Sequence, residues 1–326
     1  MRKYKKYKNG VPFKFYYLGI YIILFSISCA PSNSTEKENT LSTPYSGKTK
    51  IAVDETFKPI IDSQLTVFEK TYQAAHITAN YVPEGEAIKS LLDDSTQLII
   101  ITRKLSDQED KFFRSKDYIP HTSESAKDGV AVILNHNNND TIMSFIQLNQ
   151  LLKGEISKWK EINKDSKSGN IELVFDNSLS STYRFLQEKF DLKGLIAKNT
   201  YSAGNNEKVI EYVSKTPGAM GFIGVNWISD SDDSTVVGFK KRINVVAIYP
   251  KPEMKGAGEA YQPYQAYLAL GYYPLTRYVY SICTEPRNGL ASGFSSFING
   301  PVGQKIFEKS GLMPARLPAR IIRITK

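Results

Sequence analysis

A chain of 326 residues, 41% hydrophobic and 23% charged, has the composition of a folded protein with room for about two domains, not that of a disordered one. The net charge of +9 would suit nucleic acid, but six bases, Arg2, Lys3, Lys5, Lys6, Lys8 and Lys14, stand in the first 14 positions with no acid among them. Two thirds of the excess therefore belongs to the leader, and no basic patch interleaved with aromatics is left to argue for a nucleic-acid groove.

Behind the basic segment comes Phe15-Tyr-Tyr-Leu-Gly-Ile-Tyr-Ile-Ile-Leu-Phe-Ser-Ile-Ser28. This apolar run is too short for a comfortable membrane span, and residues 1–28 have the layout of a secretory signal. Its end, Ser26-Ile27-Ser28-Cys29, resembles the lipobox of bacterial lipoproteins, with Ser26 where that motif usually has Leu. The resemblance implies that Cys29 is lipidated and becomes the mature N-terminus. An uncleaved N-terminal anchor is the other reading; on both, the remainder is exported and tethered. Residues 29–48, rich in Ser, Thr, Asn and Pro without an apolar period, read as a flexible tether. With Cys29 given to the lipid, Cys283 has no disulfide partner, so stability must come from the core.

From residue 49 onward strands alternate with helices. Residues 49–53 form a short apolar strand, followed by Asp54-Glu-Thr-Phe-Lys-Pro59 and a helix carrying Ile60, Ile61, Leu65, Phe68 and Tyr72 on one face. Residues 77–82 read as a strand, 83–87 as a turn, 88–93 as a helix and 98–101 as a buried strand ending at Thr102-Arg103. That alternation predicts a parallel sheet with helices on its faces, where ligands collect beyond the carboxyl ends of the strands. A second unit opens with strand 129–134 and the amphipathic helix 144–152, ended by Gly154.

Val174-Phe175 then closes another buried strand, Asp176 to Ser181 form a polar turn, and from Thr182 the residues Phe185, Leu186 and Phe190 recur at helical spacing. The first turn of such a helix has unpaired N–H groups at the positive end of its dipole. Ser180, Ser181 and Thr182 add hydroxyls there, a combination suited to a small oxyanion. Ser180 or Ser181 as a plain N-cap is the alternative. Helix 208–213, the turn Pro217-Gly218, strands 219–223 and 244–248, and helices 289–297 and 303–310 complete the pattern.

Six motifs follow in one order: Asp128-Gly-Val-Ala-Val-Ile133, Leu152-Lys-Gly-Glu-Ile-Ser-Lys-Trp159, Ser180-Ser-Thr182, Pro217-Gly-Ala-Met-Gly-Phe222, Tyr273-Pro-Leu-Thr-Arg277, and Gly303-Gln-Lys-Ile306 with Gly311-Leu-Met-Pro314. In that order, from Lys50 to Ala315, the chain resembles the phosphate-binding proteins of bacterial ABC transporters, a branch of the type II periplasmic binding proteins. The resemblance implies an α/β fold of two lobes joined by two crossover strands. Residues 49–128 and 245–326 would make a discontinuous first lobe and 129–244 the second. It implies phosphate or a related oxyanion in the cleft, no cofactor, a transporter permease as partner, and a monomer.

Carried over residue by residue, the phosphate-holding loops fall at Thr56 and Phe57, Gly85 and Glu86, Thr102 and Arg103, and Ser180, Ser181 and Thr182. This chain departs from the family at several of these points. Ser181 stands where the family has Gly, so a position of close backbone approach has gained a side chain. Asp176 stands four residues before Ser180, where the family often has Arg, and Asp54, Glu55, Glu84 and Glu86 add further acids. On the family's geometry Arg103 and Asp176 should face each other across the cleft, with Arg103 as the anion's main cation. Carboxylates can accept from protonated phosphate oxygens, whereas several unpaired ones repel the anion.

No nucleophile beside a base points to an enzyme, and His76, His121 and His136 lack metal-ligand spacing. Cys283 lies in an apolar run and reads as a buried thiol; Trp159 and Trp227 read as core. Tyr261, Tyr264, Tyr267, Tyr272, Tyr273, Tyr278 and Tyr280 suit either a lobe junction or a partner surface. Two functions stay open: a lipoprotein that binds an oxyanion for transport, and a binding-protein fold reused as a sensor or interaction module.

Overall fold

The computed structural model describes residues 42–316 apart from Leu195, Ser231, Pro286 and Arg287. The signal segment, Cys29 and most of the tether lie outside the described residues. The tether was expected to run to residue 48, but its last residues are docked. Ser42 Oγ accepts from Leu290 N at 2.9 Å, and the Tyr45 ring lies 4.7 Å from that of Tyr72. Gly293 permits this approach, since a Cβ there would meet Pro44 O at 2.0 Å. A Ser- and Pro-rich segment has no period of its own, so partners nearly 250 positions away decide where it docks.

The first half runs β1 (Gly47–Asp54), a single 3-10 turn (Glu55–Phe57), α1 (Lys58–Thr71), β2 (Ala75–Val82), α2 (Glu84–Leu92), β3 (Leu98–Ile101) and α3 (Asp107–Arg114). β1 pairs in parallel with both β2 and β3. Its continuous burial from Ile51 to Asp54 follows from being covered on both faces. The helix expected at 88–93 begins four residues earlier, at Glu84, because Pro83 followed by Glu84 and Glu86 suits a helix N-terminus. Gly85 and Glu86, expected on a loop, therefore sit in its first turn.

β4 (His121–Asn135) is the outward crossing. The second half continues with β5 (Ile142–Ser144), α4 (Phe145–Lys153), α5 (Trp159–Ile162), β6 (Glu172–Phe175), α6 (Ser181–Lys189) and β7 (Thr200–Ser202). It ends with α7 (Asn206–Lys215), β8 (Ala219–Gly224), α8 (Asn226–Ser229), α9 (Ser234–Lys240), β9 (Ile243–Val245) and β10 (Ala247–Tyr249). The chain returns through α10 (Gln265–Leu270) to β11 (Thr276–Cys283), α11 (Leu290–Ile298), α12 (Pro301–Lys309) and β12 (Met313–Pro314).

The strands follow the path β2-β1-β3-β11-β4-β8-β6-β7. Two parallel fans, around β1 and around β6, are joined by the antiparallel run β11-β4-β8. The early part of β4 pairs with β11 and the late part with β8 and β9, so one strand serves both halves. Of the two expected crossover strands, β4 is the first; the return crossing is a longer segment that carries α10.

The run 245–249 was expected in the first half. Instead β9 pairs with the far end of β4 and β10 pairs with β5, so the return begins after Tyr249. Five apolar residues carry no mark of which sheet they join. At the crossing Tyr273 is buried and donates to Val130 O at 2.7 Å, while Gly129 leaves space that a Cβ would take from Leu268, 2.9 Å away. The Tyr261 ring lies 4.7 Å from Tyr267 and 5.3 Å from Tyr272, which packs this part of the tyrosine run against the junction. Tyr264 stays exposed. One main core runs through both halves, from Ile51 and Phe68 to Phe175 and Phe222, with Trp159 fully buried in it. Among the described residues no helix is long and apolar enough to cross a membrane.

Candidate functional site

The carboxyl ends of β1, β3, β6 and β8 point at one another across the line where the halves meet. Just past β1, the backbone oxygen of Thr56 accepts from Asn226 Nδ2 at 3.0 Å and from Trp227 Nε1 at 2.8 Å, both just past β8. Gly224, the last residue of β8, makes this approach possible: a Cβ on it would fall 2.4 Å from Thr56 Cγ2.

The centre of the line is a buried ion pair on the neighbouring strands β4 and β11. Arg277 and Asp128 are directly opposite in the β11-β4 register, and Arg277 Nε donates to Asp128 Oδ2 at 2.9 Å. Both side chains are almost fully buried. Nη1 of Arg277 reaches Ser181 Oγ at 3.0 Å and Thr182 Oγ1 at 3.4 Å, and the guanidinium lies 5.6 Å from the Phe57 ring. Nη2 has no partner, and neither have Thr56 Oγ1, Asp54 Oδ2, Asp128 Oδ1 and Asn226 Oδ1. Buried polar atoms are seldom left so, and five on residues along this boundary mark a place suited to something polar.

Around Arg277 the acids are held in different states. Asp54 caps the 3-10 turn by accepting from Thr56 N at 3.1 Å. Burial first, and the nearby charge of Glu84 second, push its pKa up to about 7. Glu55 is also raised to about 7, chiefly by burial, while accepting from Asn206 Nδ2 at 2.8 Å. Burial raises Asp176 too, against the donation of Ser180 Oγ at 2.6 Å and of Asn206 Nδ2 at 3.3 Å. For Glu84 burial works against the charge, but the Arg184 charge and the hydrogen bonds from Arg184 and Thr102 together outweigh it and hold the pKa below the usual range. The site therefore has fewer full negative charges than its acids suggest. Among the described residues no three His, Cys, Asp or Glu side chains are placed to hold a metal.

Of the residues named from sequence, Thr56, Phe57, Ser180, Ser181, Thr182 and Asp176 meet here. Ser180 is the N-cap of α6, accepting from Tyr183 N at 3.1 Å. The N-cap reading thus holds for Ser180, while Ser181 and Thr182 beside it reach Arg277. Thr102 lies at the edge, bonded to Glu84. Gly85 and Glu86 are exposed; Glu84, one residue before them, is the side chain that turns inward. Arg103 was expected to be the anion's cation, but its guanidinium is clamped by Glu109, with Nη1–Oε2 2.7 Å and Nη2–Oε1 2.8 Å. Glu109 closes the capping box of α3 and offers both oxygens locally, which turns Arg103 away from Asp176.

The family model for the PBP superfamily domain matches residues 38–301. The chain belongs to the PBP superfamily. The phosphate-binding protein PstS of Staphylococcus haemolyticus is 23% identical to it over 208 residues, 63% of this chain and 65% of that protein. The chain thus spans a little under two thirds of that relative's length. The phosphate-binding protein PstS of Pseudomonas aeruginosa is 22% identical over 292 residues, 85% of each. A structure from Clostridium perfringens, described as that of a substrate-binding protein of a phosphate ABC transporter with bound phosphate, superposes with TM-score 0.69. It is 19% identical, covering 83% of this chain and 100% of that one. At that identity the likeness shows the fold, the mixed α/β architecture of type II periplasmic binding proteins.

In this PBP superfamily chain the residues missed from sequence are Arg277, Asp128, Asn206 and Arg184, while Asp54 and Glu84 were named only as acids beside the anion. Asp128 and Arg277 each stand at the edge of a quoted motif, Asp128 opening one and Arg277 closing another. A charge beside an apolar strand on each of two segments is the signal that could have paired them.

Proposed function

We propose that this protein is an extracytoplasmic solute-binding protein that captures phosphate in the cleft and passes it to an ABC transporter permease. In this reading a lipid on Cys29 holds it at the membrane as a monomer, and it performs no chemistry on its ligand. The observation that carries the reading is the free Nη2 of a buried, Asp128-held Arg277 whose Nη1 reaches Ser181 at the start of α6. The N–H groups of Ser181 and Thr182, first in α6, have no intrahelical partner and add donors at the positive end of the dipole. The names of the Staphylococcus and Pseudomonas relatives support the same ligand.

Asp54 supplies a reason for phosphate over a fully ionised oxyanion. When Asp54 is ionised its buried Oδ2 is an acceptor left open, and a phosphate that keeps a proton can donate to it. Sulfate at neutral pH has no such proton. Arg277→Lys keeps a charge for Asp128 but loses the planar fork that serves Asp128, Ser181 and the anion at once. Binding of radiolabelled phosphate should weaken by about 10- to 100-fold in that variant, the value of a charge-assisted hydrogen bond. Unchanged binding would refute this assignment. A parent chain that binds no phosphate would leave the interaction-module reading. Fatty-acid labelling that depends on Cys29 tests the anchor separately.

A further inference from the structure

A second ion pair joins the halves at a point the proposed phosphate contacts do not use. Arg184 stands one turn into α6, in the second half. Its Nε donates to Glu84 Oε2 at 2.6 Å and its Nη2 to Thr102 Oγ1 at 2.7 Å, both in the first half. Nη1 is held by Glu188 on its own helix at 2.6 Å, which aims the guanidinium across the cleft. Glu84 is 2% exposed. Its other oxygen, Oε1, already accepts from Thr102 N and Thr102 Oγ1, each at 2.7 Å. Its own half thus satisfies one oxygen of Glu84, and the opposite half satisfies the other.

This asymmetry has a mechanical consequence. When the halves part, Glu84 and Arg184 regain water; when they close, each needs the other, because an unpaired buried carboxylate is costly. Asp54 lies close enough to Glu84 to feel its charge, so the anion that Asp54 faces would feel it as well once Arg184 is gone.

We propose that Arg184 is the latch of the cleft, a positioning residue that does not touch the anion. It holds the halves together through Glu84 and Thr102 and screens the Glu84 charge from the site. The effect on affinity rests on the reading that the cleft takes phosphate; the effect on closure does not.

The test compares the full chain with Arg184→Met, Glu84→Gln and the double variant, by small-angle scattering without added phosphate and by phosphate titration. Arg184→Met should give a larger radius of gyration and bind phosphate about tenfold or more weakly, chiefly through faster release. Glu84→Gln keeps the side-chain shape and halves the latch, so it gives an intermediate radius, and this arm stands even if Arg184→Met folds poorly. In the double variant no charge is stranded, so a large part of the affinity lost in Arg184→Met returns while the radius stays large. Intrinsic fluorescence offers a parallel readout, since Trp227 donates to Thr56 O across the same boundary. A radius equal to the parent's in both single variants overturns the latch. A double variant as weak as Arg184→Met overturns the screening of Glu84 as a source of the lost affinity. If the parent binds no phosphate yet the radii differ as described, the function reading falls and the latch stands.

Discussion

Asp54 is fully buried, with one carboxylate oxygen bonded to Thr56 N and the other to nothing. Its pKa is about 7 in the folded chain against an ordinary value of 3.8, so the folded state keeps a proton that the unfolded state has lost. For an acid shifted upward the sign is fixed: stability falls as pH rises from about 4 to about 7 and then levels off. The change from this one residue is on the order of a few kcal/mol. Urea midpoints of the parent should therefore drop between pH 5 and pH 8, and Asp54→Asn, which imitates the protonated form, should show a clearly smaller drop. Equal drops would mean that Asp54 is ionised throughout. At this scale the sequence was least informative. Arg103 and Arg277 both follow a Thr near the end of an apolar strand or motif, and nothing local distinguishes them. Glu109, six residues on, takes the first; Asp128, 149 residues back, orients the second.

Helix α6 shows how far an element can be read before its neighbours are known. Its start, its N-cap and its apolar face were all legible, because capping and period are local properties. Ser180→Ala removes the bond to Tyr183 N and also the donor on Asp176 Oδ1. It should cost about 1–2 kcal/mol of stability in chemical denaturation, toward the upper part of the usual range for a cap because a buried acceptor loses its donor as well. A cost near zero would show that neither bond matters to the fold. Pro83-Glu-Gly-Glu suits a turn as well as a helix start, because proline and early acids open helices too, and this ambiguity hides the first turn of α2. That four-residue difference moved the inward position from Glu86 to Glu84.

At the scale of the molecule, the order of motifs carried the architecture, since strand-helix alternation and spacing survive where individual residues change. What it could not fix was which strand the run 245–249 would join, or that residues 42–46 would dock on α11; both depend on partners distant in sequence. Beyond the core shared at the crossing strand, the two halves touch across the cleft through Thr56 with Trp227, Glu55 with Asn206, and Glu84 with Arg184, polar contacts that water can replace on opening. A hinged binder needs such a boundary, because a dry apolar one would hold shut without its ligand. In the proposed role this cleft takes an anion that still carries a proton. Calorimetric titration of the full chain with phosphate and with sulfate, at pH 6 and pH 8, tests it most directly. Phosphate should bind at both values, and sulfate should bind about tenfold or more weakly at pH 8, where Asp54 is ionised, with a smaller difference at pH 6, where it is largely protonated. No heat with phosphate, or sulfate bound as tightly as phosphate, would contradict the account.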